Sequence, residues 1–99
     1  MRQRYLRRPK TLDGKAKMLT AFIEAAMRNA EYKKYDNGSW FGSIAAPGFD
    51  GVWANEATPE ETRRELRSAL EDWLQLGLQL HHRLPVIEGI DLNAAAVAA

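Results

Sequence analysis

Hydrophobic residues between positions 18 and 30 recur at the spacing of a single helical face. Residues three or four apart lie on the same side of a helix, and the residues with this spacing are Leu19, Phe22, Ile23, Ala26, Met27 and Ala30. Glu24 and Arg28, one turn apart on another side, can form an ion pair. The pattern predicts a short amphipathic helix over about residues 18–29.

The segment after this helix alternates aromatic runs with turn residues. "EYKKYDNGSWFGSIA", residues 31–45, has Asp-Asn-Gly at its centre, three residues that accept the positive φ of a hairpin turn. "PGFDG", residues 47–51, predicts a second turn, and "VWANE", residues 52–56, predicts a third short strand. Three antiparallel strands are therefore expected between residues 31 and 56.

A second, longer helix has the best-defined start in the chain. Thr58 fits the N-cap, Pro59 the first helical position and Glu61 the third, an arrangement that forms a capping box. The helix is expected to run from about residue 59 to residue 80. Its predicted buried stripe consists of Leu66, Ala69, Leu70, Trp73, Leu74, Gly77 and Leu80. Its predicted polar side carries Glu61, Glu65, Ser68, Asp72, Gln75 and Gln79.

The order of these elements indicates an α+β fold. The segment "LPVIEGIDL", residues 84–92, contains a proline and a glycine and is compatible with a short fourth strand at a sheet edge. We expect a small antiparallel sheet of three strands, or four with this edge strand, with the long helix packed on one face and an extra N-terminal helix. Residues 18–93 would form this domain, and residues 94–99 a frayed tail.

The length of the chain favours an oligomer, and its charge distribution indicates a basic N-terminal extension. A chain of 99 residues forms one domain whose core is so small that pairing with another chain would help to stabilise it. The net charge of +1 hides an asymmetry. Residues 1–17 hold seven Lys or Arg against one Asp, whereas the rest of the chain holds seven basic and twelve acidic residues. We expect residues 1–17 to be a disordered basic extension in front of an acidic domain.

No segment of the chain predicts a membrane span or secretion. The longest stretch without a charged residue, residues 37–49, has 13 residues and contains glycines and a proline. A membrane-spanning helix needs about 20 apolar residues. The basic start is followed by "TLDGKAK" rather than by the apolar run of a secretory signal. We therefore expect a cytoplasmic protein.

The sequence offers no convincing catalytic, metal or cofactor group. The chain has no cysteine, which excludes disulfides and thiolate metal sites. Metal-dependent RNA cleavage needs carboxylates that converge, but the acidic residues nearest the predicted strands are in turns or at strand ends: Asp36, Asp50, Glu31 and Glu56. His81 and His82 are adjacent, so their side chains diverge and a solvated helix end is expected there. We predict no catalytic residue, no bound metal and no cofactor.

Residues 31–87 as a whole resemble the HicB antitoxins of bacterial toxin-antitoxin pairs. The matching pieces are a hairpin turn before a glycine-bracketed aromatic strand (Gly38, Trp40, Gly42), "PGFDGVWA" (47–54), the helix start (58–61), the leucine-rich "ALEDWLQLGL" (69–78) and "LP" after the helix (84–85). The likeness covers about residues 30–90. Its specificity comes from the ordered set of pieces and their spacing.

The resemblance implies a fold, a partner and an activity. Members of that family adopt a partial RNase-H-like fold without its catalytic carboxylates, pair with the small mRNA-cleaving toxin HicA and mask its active site. Many of them also carry a C-terminal DNA-binding region. Only about nine residues follow the last predicted strand of this chain, so the resemblance does not extend to promoter binding.

We therefore expect a non-enzymatic, antitoxin-like protein that binds a HicA-type toxin and forms a homodimer or a higher oligomer. RNA-cleaving toxins attract phosphates and tend to be basic, so an acidic inhibitor gains association rate and discrimination. The residues predicted to contact the partner are Trp40, Phe49, Trp53, Glu60, Glu61, Glu65, Glu71 and Asp72. One of the two strand tryptophans is expected in the core, since alternate strand residues face opposite sides.

Two other functions stay open at the level of sequence. The chain could be an orphan dimeric regulator that binds nucleic acid through its basic extension, with Arg2, Arg4, Arg7 and Arg8 on phosphates. Salt-dependent RNA or DNA binding that disappears on deletion of residues 1–17 would favour this function. A metal-dependent nuclease is the third possibility, and it requires activity that chelation and carboxylate substitution both abolish.

Overall fold

The structure is a computed structural model that describes residues 10–93. It contains two helices and three strands, in the order α1 (Lys10–Arg28), β1 (Ala30–Lys34), β2 (Trp40–Ile44), β3 (Trp53–Glu56) and α2 (Pro59–Gln79). The strands form one antiparallel sheet in the order β1-β2-β3. The predicted α+β class, with an N-terminal helix and a long second helix, is confirmed; the finer expectation of a partial RNase-H-like fold stays a prediction.

The hairpin between β1 and β2 forms as its turn residues predict. The Tyr35 N–H donates to the Ser39 carbonyl (2.8 Å), and the Asn37 side-chain oxygen accepts from the Ser39 N–H (2.9 Å). Gly38 has a φ of 89°, a conformation that a side chain would strain. The turn fixes the register that places Gly42 of β2 between Tyr32 of β1 and Ala54 of β3.

Helix α2 begins where its capping residues predict. The Thr58 hydroxyl accepts a hydrogen bond from the Glu61 N–H (3.1 Å), and Pro59 is the first helical residue. The helix packs against β2 and β3 on one face of the sheet. It ends at Gln79, so the predicted stripe residue Leu80 lies beyond the last turn and is exposed, which corrects its assignment to the core.

A buried threonine on α2 connects the helix to both strands beneath it. The Thr62 side chain is fully buried. Its hydroxyl accepts from the Glu56 N–H (3.2 Å) and lies 2.9 Å from the Trp40 carbonyl oxygen. Because these groups end β3 and begin β2, a single hydroxyl fixes the first turn of α2 over the strand ends.

The core lies between the two helices, one face of the sheet and the turn that joins β2 to β3. Its largest fully buried side chains are Phe22, Phe49, Leu66, Leu70, Val52 and Thr62. The Phe49 ring centroid lies 5.9 Å from that of Phe22 on α1 and 5.3 Å from that of Trp73 on α2. The turn therefore carries a ring that joins both helices.

The predicted start of the first helix is wrong by two turns. Helix α1 begins at Lys10 rather than near residue 18, so residues 10–17, which the sequence assigns to a disordered extension, are helical. Leu, Lys and Ala are good helix formers, and a single glycine costs only about 1 kcal/mol in a helix interior. Charge alone therefore does not end the helix. Residues 1–9 lie outside the described part of the chain.

The fourth edge strand is not formed by the described residues. Residues 84–92 make a tight turn in which Ile87 and Ile90 form an isolated bridge. The side chain of Asn93 bonds the Leu84 N–H (2.8 Å) and carbonyl (2.6 Å), so these backbone groups need no neighbouring strand. Arg28 pairs with Glu88 of this turn (2.6 Å) rather than with Glu24. The tail over residues 94–99 lies outside the described residues.

Candidate partner-binding surface

The sheet face opposite α2 carries three aromatic side chains in a row. Tyr35, Phe41 and Trp53 come from the β1–β2 turn, β2 and β3, and their ring planes are nearly parallel. Ring centroids lie 5.7 Å apart between Tyr35 and Phe41 and 6.0 Å apart between Phe41 and Trp53. Tyr35 is 41% exposed and Trp53 is 56% exposed. These three residues, the aromatic row, form an apolar path across the open face of the sheet.

An acidic groove runs beside this row, between β3 and α2. It has a volume of about 290 Å³ and is lined by Trp53, Ala54, Asn55, Glu56, Glu65, Ser68, Ala69 and Asp72. Three of these side chains are carboxylic acids, and no Lys, Arg or His lines the groove. The described ion pairs join other residues, Arg28 with Glu88 and Arg67 with Glu71. The lining of the groove therefore carries three carboxylates and no basic side chain, next to an exposed indole.

The structure places three of the eight predicted contact residues at this groove. Trp53, Glu65 and Asp72 line it together. Glu60 and Glu61 are exposed in the first turn of α2. Glu71 is exposed and lies 3.5 Å from Arg67, one turn earlier on the helix. The predicted acidic residues of α2 thus do not form one uniform surface.

Phe49 is not a surface residue, which corrects its assignment as a partner contact. It is 1% exposed and packs between Phe22 and Trp73. The turn before β3 places this ring between α1 and α2, where it is removed from water and packs against one aromatic ring from each helix. Trp40 is half-buried, with the Lys34 ammonium 5.9 Å from its ring centroid. Trp53 is therefore the most exposed of the predicted aromatic contacts.

Three aromatic or acidic residues of this surface are absent from the contacts predicted by sequence. Tyr35 and Phe41 complete the aromatic row, and Glu56 is the third acid of the groove. The period-two alternation of β2 contains a signal for Phe41, since it places this ring and Gly42 on opposite faces of the sheet. Glu56, in contrast, lines the same groove as Glu65 and Asp72 because α2 packs against β3. No local sequence pattern predicts that packing.

The other side of α2 has mixed charge. A cleft of about 240 Å³ between α1 and α2 is lined by Glu24, Met27, Arg28, Arg63 and Arg67. Hydrogen bonds from the Arg28 guanidinium hold the pKa of Glu88 below its usual range. Negative charge is therefore concentrated at the β3 side of the helix, where the acidic groove lies.

The described part of the chain has neither a metal cluster nor a membrane-spanning helix. Among the side chains that the structure describes, which begin at residue 16, no three His, Asp or Glu come together as a metal site would require. His81 and His82 are exposed just after α2, and His81 has a φ of 57°. Neither described helix has the length and apolar character needed to cross a bilayer.

Comparisons with known proteins agree with the fold. A family model described as UPF0150-like matches residues 21–85. Among solved structures, the crystal structure of TTHA0281 from Thermus thermophilus is 32% identical in sequence, with a TM-score of 0.68. That match covers 75% of this chain and 90% of the other. No curated protein matches. The aromatic row and the acidic groove both lie within the residues that the family model matches.

Proposed function

The chain belongs to the UPF0150-like family, and we propose that it is an antitoxin-like protein, which binds a HicA-type mRNA-cleaving RNase and masks its active site without catalysing a reaction. The observation that carries this proposal is the acidic groove with Trp53 at its edge. An RNase must attract phosphates, so the surface around its active site is basic. Three carboxylates in a groove that no basic side chain lines complement such a surface.

Trp53 supplies the apolar anchor that charge alone cannot give. Exposed tryptophans at the centre of an interface carry a large part of the binding energy when a partner covers them. The indole also attracts a Lys or Arg side chain placed over its face. A basic side chain that enters the groove would meet this ring and the carboxylates of Glu65 and Asp72 together.

Strand β3 has no second neighbouring strand in the described part of the chain, so its outer edge gives the partner a backbone to pair with. The Glu56 N–H points toward β2, since it donates to the hydroxyl that reaches the Trp40 carbonyl. Backbone groups of an antiparallel strand alternate in direction, so Trp53 and Asn55 direct theirs away from β2. An extended toxin segment added here would place its side chains alternately over the aromatic row and the acidic groove.

The experiment takes the protein encoded by the reading frame next to the gene of this chain, which on this proposal is small and basic, and measures its binding. Isothermal titration should give a Kd that rises with salt. Asp72→Lys and Glu65→Lys should each weaken binding at least about tenfold, because the new lysine would repel the basic side chains of the toxin. Glu71→Lys is the matched control, since the neighbouring residue lies outside the groove and should change the Kd little.

The proposal would be rejected if the neighbouring protein does not bind, or if the groove variants and the control weaken binding equally. A second readout is RNA cleavage by the toxin. Wild-type chain should suppress it at a one-to-one ratio of chains, whereas Asp72→Lys should require a several-fold excess. Cleavage of RNA by this chain alone, lost on carboxylate substitution, would indicate the nuclease instead.

One observation favours the nucleic-acid-binding regulator as the second candidate. The aromatic row lies on an open sheet face, an arrangement on which single-stranded bases can stack. Arg2, Arg4, Arg7 and Arg8 lie outside the described residues. Deletion of residues 1–9 is the appropriate test, because deletion of residues 1–17 would also remove the start of α1. Salt-dependent RNA binding that this deletion abolishes would favour the regulator.

A further inference from the structure

Among residues 10–93, strand β1 has a row of backbone groups at the edge of the sheet that no strand pairs. The Tyr35 N–H bonds to Ser39, and the Ala45 N–H bonds to Asn29 (2.7 Å), so the odd-numbered residues of this strand face β2. Because antiparallel strands pair alternate residues, Ala30, Tyr32 and Lys34 direct their N–H and C=O groups outward. Within residues 10–93 no strand covers this edge.

Two usual protections of an edge strand, a proline and a bulge, are absent from β1. Edges are also blunted by charged side chains, which disfavour pairing with any strand that does not carry the complementary charges. Strand β1 has no proline, and its register with β2 is continuous over all five residues. Its side chains include both signs of charge, Glu31 and Lys33, on the open face of the sheet. An edge of this kind is suited to pairing with a strand that carries the complementary charges.

The sequence of β1 is complementary to itself when reversed. Antiparallel pairing of two copies centred on Tyr32 places Glu31 opposite Lys33 of the second copy. The two-fold axis through the Tyr32 pair gives a second, identical pair, between Lys33 of the first copy and Glu31 of the second. Opposite charges directly across two strands stabilise their pairing. The same arrangement puts the outward backbone groups of Ala30 opposite those of Lys34, so every free donor in the strand meets an acceptor.

The other free edge does not suit a second copy. Strand β3 lies beside the acidic groove, with the carboxylates of Glu56, Glu65 and Asp72. Two copies paired through β3 would bring these like charges together, which opposes association. The two edges therefore differ in the partner that they fit: β3 fits a cationic protein, and β1 fits its own copy.

We infer that two copies of this chain pair through β1, antiparallel and centred on Tyr32, and join their sheets into one of six strands. The inference goes beyond the proposed function, since it does not require a toxin. In this dimer the two β3 strands lie at opposite ends of the joined sheet, about 24 Å apart at a strand spacing of about 4.8 Å. Both acidic grooves stay free, so the dimer binds two partner molecules.

Disulfide trapping tests this geometry directly, because the chain has no cysteine of its own. In Tyr32→Cys the two engineered residues face each other with Cα atoms about 5.5 Å apart, within the range that a disulfide spans. Mild oxidation should give a covalent dimer on a non-reducing gel. Lys34→Cys is the matched control, since its two copies lie about 14 Å apart along the strands and should not cross-link.

A charge swap provides a second test that does not depend on Tyr32. Glu31→Lys and Lys33→Glu should each weaken the dimer at least about tenfold in sedimentation equilibrium, because each turns both attractive pairs into repulsive ones. The double variant with both changes restores opposite charges and should recover wild-type affinity within about threefold. Lys34→Glu, which has no charged residue opposite, should stay dimeric. Circular dichroism confirms that each variant is folded.

Three results would overturn the inference: a wild-type chain that is monomeric at all concentrations, equal cross-linking at positions 32 and 34, or folded single variants that the double variant does not rescue. Failure of the proposed function is distinguishable from these results. A monomeric chain that still binds the basic partner would reject the β1 dimer alone. A β1 dimer that binds no basic partner would reject the antitoxin-like function alone.

Discussion

Replacement of Thr62 by valine tests how the first turn of α2 is fixed to the sheet. The substitution keeps a β-branched side chain of nearly the same shape, so the helix propensity changes little. It removes the hydroxyl that accepts from the Glu56 N–H and lies 2.9 Å from the Trp40 carbonyl oxygen. Both backbone groups would lose this partner at the junction of β2, β3 and α2.

The expected magnitude follows from the hydrogen bonds that are lost. The hydroxyl oxygen accepts from the Glu56 N–H, and its single proton lies within reach of the Trp40 and Thr58 carbonyl oxygens, each 2.9 Å away. Glu56 and Trp40 are also register partners in the β2–β3 pairing, so their backbone groups are not left without any partner. At about 0.5–1.5 kcal/mol for each of two hydrogen bonds, Thr62→Val should lower the free energy of unfolding by about 1–3 kcal/mol. For a chain of this length, that loss lowers the Tm by about 4 °C or more.

Urea unfolding followed by tryptophan fluorescence measures the loss. Thr62→Ser is the control, because it keeps the hydroxyl and removes one methyl group, at a cost of about 1 kcal/mol. A valine variant as stable as the wild type, or no less stable than the serine variant, would refute the assigned role of the hydroxyl. Since Glu56 lines the acidic groove, Thr62→Val should also weaken partner binding.

Three further substitutions have expected outcomes. Gly42→Ala should lower the free energy of unfolding by about 1–3 kcal/mol, since its new Cβ would lie 2.8 Å from the Thr62 methyl group; an unchanged urea midpoint would contradict this close contact. Thr58→Ala should cost about 1 kcal/mol through the lost N-cap, whereas Thr58→Ser should cost little. Arg28 lowers the pKa of Glu88, so this ion pair stabilises the fold above pH 4.5, the usual value, and the contribution disappears as the pH falls through the lowered pKa. The stability difference between wild type and Glu88→Gln should vanish at low pH, and a difference that grows there would be evidence against the pairing.

Elements specified by neighbouring residues could be predicted from the sequence. The start of α2 depends on Thr58, Pro59 and Glu61, which lie within four positions of one another. The β1–β2 hairpin depends on a turn whose glycine has a positive φ. In both cases the hydrogen bonds join residues close in the chain, so local pattern contains the information that is needed.

Features specified by contacts between distant residues could not be predicted in this way. Phe49 and Trp53 are four residues apart and both aromatic, yet one fills the core and the other is exposed. The choice depends on the space between two helices that lie on either side of the strands in the sequence. The acidic groove likewise combines a strand residue, Glu56, with Glu65 and Asp72 from α2. The start of α1 could not be predicted from charge, because basic residues are as compatible with a solvated helix as with a disordered extension.

If the proposed dimer and the proposed toxin complex both form, they use different edges of the sheet and do not compete. Strand β2 is central and fully paired, so any added strand must join β1 or β3. Charge then separates the two edges, because Glu31 and Lys33 complement a reversed copy of β1, whereas the acids beside β3 repel a copy and attract a cation. A charge change at one edge should therefore affect one partner and leave the other. A chain with Lys33→Glu should lose the dimer and keep the toxin, and one with Asp72→Lys should keep the dimer and lose the toxin.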